Sequence, residues 1–499
     1  MDEEESSPAK ISRVSELDSK NVSKPKDKSQ SLFWNGELRQ TSNLHVDPRK
    51  DAKPIFSLPS ILGDTSDLDF AILSSYSTPE PSWVYSFFPP SVPVILVGQP
   101  SEDGTSSIKY LFPNWVRVAP FLRYGRGAMH IKLLLLFYKS GRLRLSIPTA
   151  NFAEWDWKDI ENSVWLQDIP KFPSPIPHDR KAEDFPALLV RTLDALHHPS
   201  IPISSIQDIR SNWNFSNVTA HLIPSLAGRH ETWPSVLRVG HIRLMRVVRL
   251  MGARADPKEF PGKKKNITSV GERQLDLECQ GSSIGSYTPA WIDEFYTSAK
   301  GASPEGWLNE GKTRRVKRLD LLFAREGWGP WRNIKILFPS LKTVTASVLG
   351  TERAGMMFCT RRQWDMPKFP RALFHDANSK RGEVLMHSKM ILTTFPHSIT
   401  PSEPSSPGSL TSTPNHPQEP PSDPERNPSI LGWLYVGSHN FTPSAWGTLS
   451  GTAFTPSLDI TNYELGVIIP LTKPTQVDEM TCWERPPRKY GKGDEPWVS

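Results

Sequence analysis

The chain has few cysteines and no long apolar run. Cys279, Cys359 and Cys482 are its three cysteines in 499 residues. Their odd number and wide spacing supply neither a disulfide framework nor a Cys-x-x-Cys zinc pair, which points to a reducing compartment. No uninterrupted apolar stretch approaches the ~20 residues a helix needs to span a bilayer. The opening residues, MDEEESSPAK, lack the basic and apolar segments of a secretory signal, so a soluble intracellular protein is expected. No Gly-rich Walker loop is present, which removes the P-loop nucleotide hydrolases. There is no carboxylate cluster and no His/Cys set at ligand spacing, so a metal site has little support. A large excess of one charge is also missing. Lys and Arg number 59 against 53 Asp and Glu, a net charge of +6, which permits a polyanionic partner without requiring one.

The length suits two domains better than one. Residues 1–30 are charged and nearly free of large apolar side chains, so disorder is expected there, with order beginning at SLFWNGELRQ (31–40). Strand signals follow at 92–99, 130–138 and 142–152, the last two joined by a Ser-Gly hairpin connection. Residues 183–197 carry apolar side chains at helical spacing. Further strands are expected at 318–324, 333–339, 384–395, 431–441 and 463–471, an α/β or α+β alternation. The stretch 396–429 is dominated by proline and serine and has almost no aliphatic side chains. It offers too little apolar surface to order, and reads as a disordered insertion. The basic runs GKKK (262–265) and KTRRVKR (312–318) read first as solvated surface, and second as a nucleic-acid face or nuclear address.

One pattern occurs twice. MHIKLLLLFY places His130 and Lys132 in one expected strand, and MHSKMILTTF places His387 and Lys389 in another. Each is followed by a strand that ends in an asparagine, Asn151 in TANF and Asn440 in SHNF. The span from Lys389 to Asn440 is much longer than that from Lys132 to Asn151, but the Pro/Ser-rich stretch lies inside it. With 396–429 set aside, the two spans nearly match. Two matches with matched flanks mark an internal repeat. Two lysines and two asparagine amides are donors that suit the equatorial oxygens of a phosphoryl transition state. One histidine can attack phosphorus while the other protonates the leaving oxygen and then activates water. The residues describe metal-independent phosphodiester cleavage through a phosphohistidine.

With GSHN (437–440) downstream, the doubled His-x-Lys resembles the phospholipase D superfamily. That superfamily usually carries an aspartate six residues after the lysine, where this chain has Tyr138 and Phe395. The His-Lys-Asn pattern without aspartate is similar to the tyrosyl-DNA phosphodiesterase family, as are TANFAEWDW (149–157), VWLQ (164–167), GSSIGS (281–286), SHNFTPSAWG (438–447) and YELGV (463–467). The likeness runs from about residue 31 to the end, where GDEPWVS resembles the start of the family's closing strand region. It implies a phospholipase D-like α/β fold, with mixed sheets in two similar α-β-α halves, 31–228 and 229–499, about a pseudo-twofold axis. It implies DNA repair without a cofactor, on single-stranded or nicked 3′ ends carrying a tyrosyl peptide from topoisomerase I. A nuclear monomer is expected, with cytoplasm and mitochondria as further compartments. Carried over by position, His130 is the nucleophile, His387 the acid and base, and Lys132, Lys389, Asn151 and Asn440 the phosphate holders. Glu464 occupies the place of a carboxylate that orients a catalytic histidine. Its first-half counterpart is Asn162, one methylene shorter than the family's glutamine. Ser283, Ser286 and Thr442 fall in DNA-contacting positions, and Arg126, with Tyr124 nearby, stands near the place of a base-stacking aromatic.

Three other readings compete. GSSIG (281–285) also fits the nucleophile elbow of a serine hydrolase, with Ser283 attacking an ester and TPAWIDEFY opening the following helix. A nuclease or lipid phosphodiesterase of the wider superfamily would keep the fold and change the substrate. A catalytically dead relative would keep only nucleic-acid binding.

Overall fold

The run Leu133–Tyr138 and the alternating Arg142–Pro148 are buried from end to end, as strands covered on both faces must be. The computed structural model describes residues 31–499 except 48, 180, 197–208, 256–274, 312–332, 396–426 and 428. The expectations for 1–30, both basic runs, the strand at 318–324 and nearly all of the Pro/Ser-rich insertion lie outside the described residues.

The first sheet is built from β1 (Glu37–Gln40), β2 (Leu68–Ser74), β3 (Val94–Val97), β4 (Ser107–Phe112), β5 (Trp115–Ala119), β6 (Leu133–Tyr138), β7 (Arg142–Pro148) and β8 (Ser163–Pro170). The chain continues through β9 (His221–Ser225), β10 (Gly228–Glu231), β11 (Asp276–Gln280), β12 (Ile334–Leu337), β13 (Phe374–His375), β14 (Met390–Thr394), β15 (Gly432–Gly437), β16 (Thr448–Gly451), β17 (Pro456–Ile460) and β18 (Glu464–Leu471). The first sheet runs β1-β8-β7-β6-β2-β3-β5-β4, and the second runs β9-β18-β15-β14-β11-β12-β13. Laid side by side the orders coincide over seven strands, β4 alone having no counterpart in the second sheet, and the directions agree: β2 is antiparallel to β6 and parallel to β3, as β11 is to β14 and β12. The repeat read from two short motifs is therefore a repeat of a whole sheet. β9 corresponds to β1, so the second half begins before His221 and not near residue 228. Strands β10, β17 and β16 form a small separate sheet.

Alternation along the strands sorts the core into layers. Leu133 and Leu135 of β6, Leu143 and Leu145 of β7, Met390 and Leu392 of β14, and Leu434 and Val436 of β15 share one cluster between the two sheets. Helix α1 (Phe185–Leu196) closes that layer with Leu188, Leu189 and Leu193, and Asp184 caps it by accepting from Ala187 N at 3.1 Å. The outer face of the first sheet packs Leu134, Leu136 and Leu166 against residues 56–62 and 84–96. The outer face of the second packs under α2 (Gly240–Leu250) and α3 (Pro289–Ala299). On the outward face of β7, Arg144 forks onto Asp168 at 2.8 Å through both Nε and Nη2, and Asp168 also accepts the Phe33 amide at 2.8 Å. That buried pair ties Phe33 to the first sheet.

Two glycines shape the second sheet beneath the doubled motif. Gly437 and Gly466 lie opposite each other on β15 and β18, and a Cβ on either would collide with the Tyr435 hydroxyl. The space they leave lets Tyr435 Oη meet His439, whose Nε2 lies 2.9 Å from Ser225 Oγ. Gly466→Ala is expected to destabilise the fold by about 1–3 kcal/mol through overpacking, read as a lowered melting temperature.

Candidate active site

Neither His-x-Lys pair lies within a strand. β6 and β14 begin at Leu133 and Met390, after the lysines. Ahead of them the backbone leaves its own ladder and pairs with the other half, through the parallel bridges Met129↔Tyr463 and Glu161↔Met386. The exchange is symmetrical: His130 N donates to Tyr463 O at 2.9 Å, and His387 N donates to Glu161 O at 2.8 Å. Each histidine is thereby seated by the strand entry of the opposite half.

The carboxylates are exchanged in the same way. His130 Nδ1 lies 2.8 Å from Glu464 Oε2 and 3.0 Å from Ser438 O. Both neighbours are acceptors, so Nδ1 carries the proton and Nε2 keeps its lone pair. Glu464 is held by Ser438 Oγ at 2.6 Å and Asn462 Nδ2 at 2.9 Å. His387 Nδ1 lies 3.1 Å from Asp156 Oδ1. Asp156 is buried and accepts the Asn151 amide at 2.7 Å and Asn162 Nδ2 at 3.3 Å.

The asparagines are anchored by backbone. Asn440 Oδ1 accepts from Ser282 N at 3.0 Å and Ser283 N at 3.1 Å, in the loop after β11. Asn151 Oδ1 accepts from Ser77 N at 3.4 Å, in the corresponding loop after β2. With the oxygens engaged, each amide is left its NH2 for a ligand. Lys132 and Lys389 are fully buried, and each ammonium donates to the carbonyl of the histidine two residues before it. His130, His387, Asn151 and Ser283 line one cleft of about 710 Å³.

The charges follow from this packing. Burial pushes Lys132 down to about 8, against the pull of Glu464 and Asp156. Burial and the like charge of Lys132 push Lys389 well below the ordinary lysine value. Burial raises both carboxylates, but their histidines and other donors outweigh it and hold Asp156 and Glu464 at about 2. Burial takes His387 down to about 4, with Asp156 opposing, and it lowers His130 too, with Glu464 opposing. The free site therefore pairs ionised carboxylates with neutral histidines and crowds two lysines whose repulsion a bound anion relieves.

The profile of the tyrosyl-DNA phosphodiesterase family matches residues 38–494. The chain belongs to that family. A curated Arabidopsis thaliana relative, tyrosyl-DNA phosphodiesterase 1, is 24% identical over 436 residues, which make up 84% of this chain and 60% of that protein. Its Drosophila melanogaster namesake is 23% identical over 355 residues, 68% of this chain and 49% of that protein. The chain thus spans about half to three fifths of the length of these relatives. A crystal structure of the yeast tyrosyl-DNA phosphodiesterase shares the fold, with a TM-score of 0.59 at 16% identity over 93% of this chain and 99% of that one.

Within this member of the tyrosyl-DNA phosphodiesterase family, four expectations need correction or completion. Asn162 does not reach His387. Its amide turns to Asp156, accepts from Thr149 Oγ1 at 2.8 Å, and leaves Asp156 as the histidine's partner. Asp156 sits in the quoted AEWDW, but nothing local marks it, since its contact is to a histidine of the other half. The GSSIG segment is no elbow, because residues 281–288 run as a loop between β11 and α3 and the Ser283 amide serves Asn440. Ser286 and Thr442 line the cleft, and Thr442 also caps the helical turn Pro443–Trp446 by accepting from Ala445 N at 3.2 Å. Arg126 is exposed and outside the cleft lining. An aromatic ring does stand beside His130: Tyr76, edge-on with centroids 5.5 Å apart. It follows β2 as Ser282 follows β11, a correspondence visible only once the two sheets are aligned.

Proposed function

We propose that this chain is a DNA-repair phosphodiesterase that hydrolyses the 3′-phosphotyrosyl bond between DNA and a topoisomerase I-derived peptide. One observation carries the reading: two histidines, each with Nδ1 beside a carboxylate of the other half, line one cleft together with the anchored Asn151, and each takes a buried lysine ammonium on its carbonyl. In the first step the His130 Nε2 lone pair attacks phosphorus and the bond to the tyrosyl oxygen breaks. The proton on His387 Nε2 goes to that oxygen, giving free tyrosine hydroxyl and a phosphohistidine. The substrate's own negative charge, placed between the lysines that depress His387, favours the protonated imidazole needed at this moment. In the second step neutral His387 Nε2 takes a proton from water, the oxygen attacks phosphorus, and the P–N electron pair returns to His130. The product is a DNA 3′-phosphate. Lys132, Lys389, Asn151 and Asn440 stabilise the equatorial oxygens in both transition states. Ser283, Ser286 and Thr442 contact the DNA strand along the cleft.

Charge stabilisation by lysines and amides assigns no task to a metal ion. A 3′-phosphotyrosyl oligonucleotide incubated with the protein in EDTA should release tyrosine at the rate seen without chelator. No release, or release that chelation stops, would reject this reading. We further propose that the protein works as a monomer in the nucleus, where topoisomerase adducts form on DNA.

A further inference from the structure

A second cavity lies away from the cleft and shares none of its lining residues. It measures about 550 Å³, within the range of small-molecule sites. β9 runs antiparallel to β18, with Ser225 opposite Glu464 and His221 opposite Ile468. His221, on the cavity wall, is thus roughly 14 Å along the strand from the level of the catalytic carboxylate.

The wall carries Arg243 of α2, which is only 3% exposed. Its Nε donates to Leu222 O at 3.3 Å, but its buried Nη1 has no partner. Among the described residues no carboxylate pairs with it. Burial is the sole influence on its titration, lowering it to about 10, and its charge helps to depress His221. The two carboxylates on the wall are engaged elsewhere. Glu183 holds Arg238 and Arg246, and Asp184 Oδ2 lies 2.8 Å from His178. An uncompensated buried guanidinium is costly unless something supplies its counter-charge. Arg210, also on the wall, is engaged with His178 Nδ1 at 2.9 Å and Asp179 O at 2.7 Å, and four aromatic rings, Phe172, Phe185, Trp213 and Phe215, line the cavity, with Phe185 and Phe215 stacked at 5.8 Å.

We propose that this cavity is a binding site for a small organic anion, one carboxylate or phosphate monoester on an aromatic body, with the anion on Arg243. With Nε on Leu222 O, the guanidinium's two Nη groups meet two oxygens of either head group, and the rings take the flat body. The site is independent of the phosphodiesterase cleft.

Isothermal titration of the full chain with 2-naphthoate, 2-naphthyl phosphate and uncharged 2-naphthol tests this. At least one anion should bind about tenfold or more tightly than naphthol, and the comparison of the two anions identifies the preferred head group. Arg243→Met should weaken that anion by about ten- to a hundredfold, the worth of a charge-assisted hydrogen bond. Lys389→Met, which alters only the catalytic cleft, should leave it unchanged. Without ligand, Arg243→Met should melt no lower than the wild type, since it removes an unpaired buried charge. Absence of anion binding, binding equal to that of naphthol, or binding that survives Arg243→Met overturns the proposal, as does loss in Lys389→Met. If the methionine variant does not fold, Arg243→Lys decides: it keeps the charge and loses the fork, so anion binding should fall by about tenfold, and unchanged binding contradicts the site.

Discussion

His130→Ala is expected to lower tyrosine release from a 3′-phosphotyrosyl oligonucleotide by on the order of 10⁴- to 10⁶-fold, the scale on which enzymes lose rate when a covalent nucleophile is removed. The fold should survive the change. His130 is partly exposed to the cleft, and Glu464 keeps its bonds from Ser438 and Asn462 after the ring is gone. The buried carboxylate is therefore not orphaned, and the melting temperature should move by only a few degrees. Burst kinetics with a limiting amount of protein check the rate, and thermal unfolding checks the fold. Retained turnover in a folded variant would place the nucleophile elsewhere.

Asp156→Asn should be nearly as damaging, although Asp156 touches no substrate. The replacement keeps the volume, but it removes the negative charge that opposes burial and Lys389 at His387. The imidazole then titrates at a still lower pH. At any given pH a smaller fraction is protonated, so release of the tyrosyl oxygen slows and the optimum for this step moves toward acid. An amide NH2 facing Nδ1 also favours the wrong tautomer, leaving Nε2 protonated when it must accept from water. Loss of the orienting carboxylate costs on the order of 10⁴-fold where a catalytic histidine depends on it, and about 10²- to 10⁴-fold is expected here. The pH profile separates this positioning role from simple damage to the fold, which would lower activity equally across the range. Asp156 also accepts the Asn151 amide, so its ionised form adds stability above its unfolded value of 3.8 that is lost as the pH falls toward 2.

The residues that the proposed chemistry uses were legible in the sequence because their pattern is written twice in short segments. His-x-Lys and the trailing asparagine are local, and their repetition separates them from chance. The strands were readable for a related reason: β6, β14, β15 and β18 are largely buried on both faces and so appear as mostly apolar runs, while β7 shows as an alternation. Features that depend on which strands pair were hidden. β9 belongs to the second half only because it bonds to β18, the last strand of the chain, so a boundary drawn from local composition missed it. The exchange of carboxylates is equally non-local. Glu464 reaches His130 from the far end of the sequence, and Asp156 reaches His387 across the same interface in the opposite direction. That exchange ties the halves together: His130 and Glu464, and likewise His387 and Asp156, come from opposite halves. Tyr76 was missed because no motif announces a ring that arrives from the loop after β2.

The most direct test of the two-histidine mechanism is the position of the covalent bond. His387→Ala leaves the His130 nucleophile intact and removes the base that activates water. The protein should then accumulate a DNA adduct during reaction with a 3′-phosphotyrosyl oligonucleotide. Peptide mass spectrometry of the trapped species is predicted to find the phosphate on His130, and no adduct should form when His130→Ala is added. Phosphate on any other residue, or full turnover without a trapped species, would contradict the mechanism.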